Sequence, residues 1–156
     1  MNEIKSIFHQ KGLRLTPQRE LIYRLLAGSK AHPTADQVYR EVLKTFPAVS
    51  FNTVYKTVRA FEEAGLLQRF NTGENIYRYD ANTAPHPHFI CLSCGRVDDM
   101  GDLPESVESF LRKAAGSSPN QVKFFNLHFY GHCKQCGDRE INNNFKEEDI
   151  HGGSDQ

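Results

Sequence analysis

The sequence predicts an α/β (α+β) chain in which an N-terminal winged helix-turn-helix precedes a small α/β domain with a four-cysteine zinc site. Three observations predict it. Helix starts and stops follow one another through the first 65 residues, a short hairpin pattern comes directly after them, and two Cys-x-x-Cys pairs lie further on. The pairs are Cys91/Cys94 and Cys133/Cys136, with 38 residues between them. Each pair offers two thiolates, and together they make a tetrahedral all-sulfur zinc site. The interval is too long for a compact finger, so this zinc would clamp parts of one small domain that are distant in sequence. These are the only cysteines of the chain, so a redox pair or disulfides would have to use the same four.

The elements follow in order. Residues 4–11 suit a short helix ended by Gly12. Thr16 caps a second helix with Pro17 at its first position, and Leu21, Ile22, Leu25 and Leu26 form its apolar stripe up to Gly28. Thr34-Ala-Asp-Gln37 is a capping box for a third, which carries Val38, Val42 and Leu43 and ends before Pro47. Ser50 caps a fourth, from Phe51 to Ala64, with Val54, Val58 and Phe61 inward and Gly65 as its stop. Leu66–Phe70 and Ile76–Tyr79 read as hairpin strands around residues 71–75. Pro85 and Pro87 stiffen a hinge. Beyond it, His88–Leu92 and Val97–Met100 read as strands around the first cysteine turn, and Pro104 opens a helix to about Ala115. Val122–Tyr130 alternates with apolar residues on both faces, as expected of a strand covered on two sides. The expected organisation is 1–80 DNA-binding domain, 81–87 hinge, 88–140 second domain and 141–156 polar flexible tail.

Charge is balanced at 19 basic and 19 acidic residues but unevenly placed. Residues 1–80 hold twelve Lys/Arg against eight Asp/Glu, and the remainder seven against eleven. The basic half suits nucleic acid and the acidic half suits cations. No apolar run approaches 18 residues, which predicts no membrane span, and the N-terminus lacks the pattern of a secretory signal.

In a helix-turn-helix over 34–64, the fourth helix enters the major groove. Its first turns carry Ser50, Asn52, Thr53, Tyr55, Lys56 and Arg59. Asn52 and Lys56 reach base edges, while Thr53, Tyr55 and Arg59 suit phosphate or sugar. Arg14, Arg19 and Arg69 are candidate backbone anchors, the last in the minor groove beside the wing. A second donor set is His86-Pro-His88, whose imidazoles point alike on an extended strand, with Asp80 before the hinge and Asp99 after the first cysteine pair. With His32 they would supply three nitrogen and two carboxylate donors, a mixture that suits Fe(II) or Mn(II) and accepts zinc. Spacing alone does not join His32 to the other four.

Leu15-Thr-Pro-Gln-Arg19, His32-Pro-Thr-Ala-Asp-Gln-Val-Tyr39, Thr53-Val-Tyr55, Tyr77-Arg-Tyr-Asp80, His88-Phe-Ile-Cys-Leu-Ser-Cys-Gly95 and Tyr130-Gly-His-Cys-Lys-Gln-Cys136 resemble, in order, the signatures of the ferric uptake regulator family. The resemblance implies a cytoplasmic homodimeric repressor, not an enzyme, with an α/β dimerisation domain and palindromic promoter DNA as its partner. It also implies structural zinc and a regulatory Fe(II) or Mn(II). Its peroxide-sensing branch places ligands at positions matching His32, Asp80, His86, His88 and Asp99. In that branch His32 or His86 is oxidised under Fe(II) and DNA is released. The iron-uptake branch usually carries glutamate where Asp80 stands. Where Lys56 stands the peroxide branch often carries asparagine, so operator preference does not transfer. Glu105 and His128 are candidates for an additional metal site. Iron-responsive and zinc- or manganese-responsive repression share this architecture, and a zinc-stapled protein-interaction module is the alternative without DNA.

Overall fold

Helix boundaries follow local chemistry closely. The computed structural model describes residues 3–73, 75–122 and 126–137. Helix α1, Glu3–Gln10, is followed by Gly12 in the left-handed region at φ +66°. Helix α2, Pro17–Ala27, has Thr16 accepting from the Arg19 amide at 3.3 Å. Helix α3, Ala35–Leu43, carries a complete capping box. The Gln37 amide donates to Thr34 Oγ1 at 3.2 Å, and the Thr34 amide donates to Gln37 Oε1 at 2.9 Å. Helix α4, Phe51–Glu63, is capped by Ser50, which accepts from the Thr53 amide at 3.1 Å. Gly65, at φ +68°, ends it in a Schellman arrangement, its amide donating to Glu62 O at 2.9 Å and the Leu66 amide donating to Phe61 O at 2.8 Å. Leu66 and Leu67 are thereby turned into the core, and strand β1 begins only at Gln68. Strands β1, Gln68–Asn71, and β2, Tyr77–Asp80, pair antiparallel as the wing, with Gln68 opposite Asp80.

The chain divides into two compact units, Met1–His86 and a second that begins at Pro87. The core of the first is built from the inward faces of α1–α4 and the base of the wing. Phe8, Ile22, Leu26, Val42, Val54, Val58 and Phe61 are all at or below 1% exposure. Phe8, Tyr23 and Phe61 meet edge to face at 5.3–5.9 Å, which pins α1 onto α2 and α4.

In the second unit, β3 (Pro87–Cys91) is the central strand of a three-stranded sheet. It pairs antiparallel with β4 (Val97–Asp99) and parallel with β5 (Leu127–Gly131). The parallel pairing requires a crossover, which contains α5, Glu105–Gly116. Pro87, the last residue of the expected hinge, is the first of β3; a proline fits the first position of a strand because it has no amide to donate. The expected strand Val122–Tyr130 is shorter: Val122 lies outside β5, and residues 123–125 and the expected tail 141–156 lie outside the described residues. Buried apolar side chains of this unit, among the described residues, are few: Pro87, Ile90, Cys91, Val97 and Cys133.

Candidate metal centres and DNA-facing helix

The two cysteine pairs meet at one end of the three-stranded sheet. Cys91 ends β3, and its carbonyl accepts the Gly95 amide at 2.9 Å, so the chain turns tightly and brings Cys94 back beside it. The Leu92 amide donates to Gly131 O at 2.7 Å, carrying the register of β3 and β5 up to the second pair. Gly131 leaves room at that approach, since a Cβ there would stand 3.2 Å from the Phe89 ring. The Cys133 amide donates to Cys91 Sγ at 3.3 Å, and Cys94 Sγ lies 3.9 Å from Cys133 Sγ. All four sulfurs lie within 4.8 Å of one another, and none is in a disulfide. A tetrahedron with zinc–sulfur bonds of about 2.3 Å has edges of about 3.8 Å. The four-sulfur set therefore fits zinc without rearrangement of the chain.

Charge makes the same point. Burial raises the Cys91 thiol, but backbone amides led by that of Cys133, together with the Cys94 side chain, outweigh it and hold Cys91 down at about 6. Cys136 is pushed up to about 12, first because its thiol is hydrogen-bonded to Cys133 and then by burial and the other sulfurs. Four thiolates at this spacing do not coexist without a cation, and a divalent ion displaces the protons that keep them apart.

The imidazole and carboxylate donors are placed by both units. In the first, His86 Nε2 lies 3.3 Å and His32 Nε2 3.9 Å from the same oxygen, Asp80 Oδ2. Asp80 is the last residue of β2 and is nearly buried; its Oδ2 accepts from Gln68 Nε2 at 2.9 Å, and its Oδ1 accepts from the Asn82 amide at 2.8 Å. His86 Nδ1 lies 2.8 Å from Ala84 O, a contact that orients the ring with Nε2 toward Asp80. In the second unit, His88 is paired across the β3–β4 register with Asp99, Nε2 to Oδ1 at 3.6 Å. His88 is 2% exposed. Each group combines nitrogen and oxygen donors of the kind that Fe(II), Mn(II) and zinc accept. Sequence reasoning missed Gln68, whose part in holding Asp80 follows from the wing register and not from any motif.

On α4, Asn52, Thr53, Lys56 and Arg59 are exposed and Tyr55 is half-buried, so the polar face selected from sequence is the solvent face. Ser50 is occupied as the cap, and its Oγ also lies 2.9 Å from Thr53 Oγ1. Phe51 was not among the selected residues, yet it is 44% exposed and stacks on Tyr55. An aromatic beside a helix cap was the available signal. Arg59 pairs with Glu63 at 3.3 Å, a surface contact weak enough to exchange for phosphate. Arg14 is exposed, with its carbonyl accepting from Arg19 Nη1 at 3.1 Å. Arg69 is engaged within its own unit, 3.1 Å from Glu62 and 4.5 Å above the Tyr77 ring. His128 lies beside His88 in the β3–β5 register, with ring centroids 5.8 Å apart, and burial lowers its pKa. Glu105 begins α5, and neither it nor His128 joins a group of three or more donors among the described residues.

A winged helix on the same chain as thiolate and imidazole–carboxylate donor sets defines a DNA-binding regulator that answers to metal ions. The ferric uptake regulator family model matches residues 10–130, and the chain belongs to that family. It is therefore a transcriptional regulator and not an enzyme. It is 35% identical over 147 residues to the peroxide-responsive repressor PerR of Staphylococcus aureus (strain Mu50 / ATCC 700699), covering 88% of this chain and 98% of that protein. Among solved structures, the Campylobacter jejuni peroxide stress regulator is similar at 26% identity and TM-score 0.67, over 85% of this chain and 96% of that one. A Pseudomonas aeruginosa ferric uptake regulator with manganese is similar at 26% identity and TM-score 0.70, over 86% and 99%. No helix of the described residues is long and apolar enough to cross a membrane.

Proposed function

We propose that this protein is a cytoplasmic, homodimeric repressor that binds palindromic promoter DNA when a divalent metal is bound and releases it on exposure to hydrogen peroxide. In this reading Cys91, Cys94, Cys133 and Cys136 hold structural zinc. His32, Asp80, His86, His88 and Asp99 share one regulatory Fe(II) or Mn(II). The observation that carries it is Asp80: one buried carboxylate oxygen faces both His32 and His86, two residues before the His88–Asp99 pair. A metal that binds one arrangement of the reading helices more tightly than the others would shift the protein toward that arrangement. Fe(II) held by these donors would supply the electrons that reduce peroxide beside the His32 and His86 rings. The net change is one oxygen gained by His32 or His86 and one water formed from the peroxide. An oxidised ring is a poorer donor, so metal affinity and DNA affinity fall together. The S. aureus relative named for peroxide response supports this reading.

A second copy is the fitting partner for the second unit. Helix α5 buries no residue within the chain, and Phe110, Leu92 and Tyr130 are 68%, 64% and 59% exposed. Thiols kept free for zinc are at home in a reducing compartment.

Fe(II)-loaded protein treated with limiting peroxide is expected to yield a peptide about 16 Da heavier, the mass of one oxygen, containing His32 or His86. The Mn(II)-loaded protein is expected to yield none. Unmodified histidines with undiminished DNA affinity would reject peroxide sensing and leave an iron-responsive repressor.

A further inference from the structure

We propose that Arg78 is a positioning residue for the regulatory metal, its guanidinium holding the backbone of His32 in the conformation that aims the imidazole at Asp80. This rests on the reading of His32 as a ligand. His32 is 1% exposed and sits in the left-handed region at φ +47°. That conformation is uncommon for any residue with a Cβ, and Pro33 restricts the residue before it toward extended backbone. Something must hold His32 there.

Strand β2 does so at three points. Arg78 Nη1 donates to His32 O at 3.1 Å and reaches Ala31 O at 3.5 Å. Thr34 and Arg78 form an isolated antiparallel bridge, and the Tyr79 amide donates to Pro33 O at 3.2 Å. Charged donors on carbonyls are the strong member of this set, because the charge persists at all working pH values. Two residues along the strand, on the same face, Asp80 places Oδ2 3.9 Å from His32 Nε2. One short strand thus grips His32 twice: position 78 fixes the backbone and position 80 meets the ring. Phe70, with its ring centroid 5.6 Å from that of His32, packs beside the imidazole. Removing the guanidinium frees the 31–34 segment to relax toward extended backbone, which carries the imidazole away from Asp80 while leaving all five donors in the chain.

The test compares wild type, R78M, R78K, H32A and the R78M/H32A double variant, each full-length and zinc-loaded. Mn(II) affinity and the visible spectrum of Co(II) bound in its place are the readouts. R78M keeps the side-chain stem and removes the donors. It is expected to weaken Mn(II) by about 10- to 100-fold, the range for groups that orient a ligand. Its Co(II) spectrum should move toward that of H32A. R78K, which restores one charged donor, should recover part of the loss. If Arg78 acts through His32, the double variant binds no more weakly than H32A to within about threefold. Wild-type affinity and spectrum in R78M, or losses that multiply in the double variant, would overturn the proposal. An H32A variant that binds as well as wild type would instead overturn the ligand reading beneath it. Zinc content and thermal unfolding verify the fold, and R78Q is read by the same criteria should R78M not fold.

Discussion

Replacing Cys133 with serine is expected to empty the four-sulfur site and unfold the unit that begins at Pro87, leaving the winged helix folded. The first unit has its own core around Phe8, Val54 and Phe61. Among the described residues the second buries Pro87, Ile90, Cys91, Val97 and Cys133 as apolar groups, and α5 adds none. So small a core does not offset the entropy of ordering its chain, whereas structural zinc contributes about 10–16 kcal/mol in small thiolate domains. Metal analysis should show zinc falling from about one per chain to a small fraction. Calorimetry should lose the transition of the second unit and keep that of the first. A C133S protein that retains zinc and both transitions would remove the staple from the account.

Zinc loading should also carry a defined pH dependence. Cys91 is held at about 6, below its ordinary 9, so its ionisation contributes stability present in full above pH 9 and lost as pH falls through 6. Cys136, raised to about 12, works in the opposite sense: its contribution is full below pH 9 and is lost as pH rises through 12. Zinc must displace that proton at any ordinary pH, but finds Cys91 already a thiolate above 6. Zinc retention by the loaded protein, challenged with a chromophoric chelator, should therefore weaken more steeply with acid below about pH 6 than above it. A constant slope through that region would contradict the thiolate at Cys91.

Much of this architecture was legible because the deciding chemistry is local. Thr16, Thr34 and Ser50 cap helices where a hydroxyl precedes an apolar stripe, and Gly65 stops α4 where a left-handed residue is required. The cysteine pairs were equally readable, since a Cys-x-x-Cys turn brings its two sulfurs together by itself. What sequence could not show depends on pairing at a distance. Alternation predicted a strand from Val122, but strand ends are set by the partner, and β5 starts opposite Pro87 at Leu127. No pattern announced that β5 would run parallel to β3. His32 reaches Asp80 through tertiary placement alone, 48 positions away in the chain. Arg69 is expected beside the wing from sequence, but its contacts with Glu62 and the Tyr77 ring depend on the folded arrangement.

Asp80→Asn is expected to abolish metal-dependent DNA binding while leaving the metal-free protein at least as stable as wild type. The two halves of that statement have one cause. Asp80 is 7% exposed and accepts from Gln68 and the Asn82 amide. Asparagine presents one carbonyl oxygen and loses the charge. In the metal-free protein this relieves the cost of a buried carboxylate, so the melting temperature should hold or rise. With metal present the loss falls on affinity, because the anionic oxygen facing His32 and His86 is gone. A drop of about 100-fold or more is expected when a ligand, as opposed to a group that merely orients one, is removed. Mn(II) at about 100 times its dissociation constant stabilises a folded protein by about 2.7 kcal/mol, so wild type should melt higher with Mn(II) and D80N should not. The zinc content of both should be equal, because the four-sulfur site belongs to the other unit. If D80N gains the same thermal stabilisation from Mn(II) as wild type, Asp80 is not a ligand, and its contact with the two imidazoles serves packing alone. A D80N protein that loses stability without metal would show instead that the buried charge is already compensated within the fold.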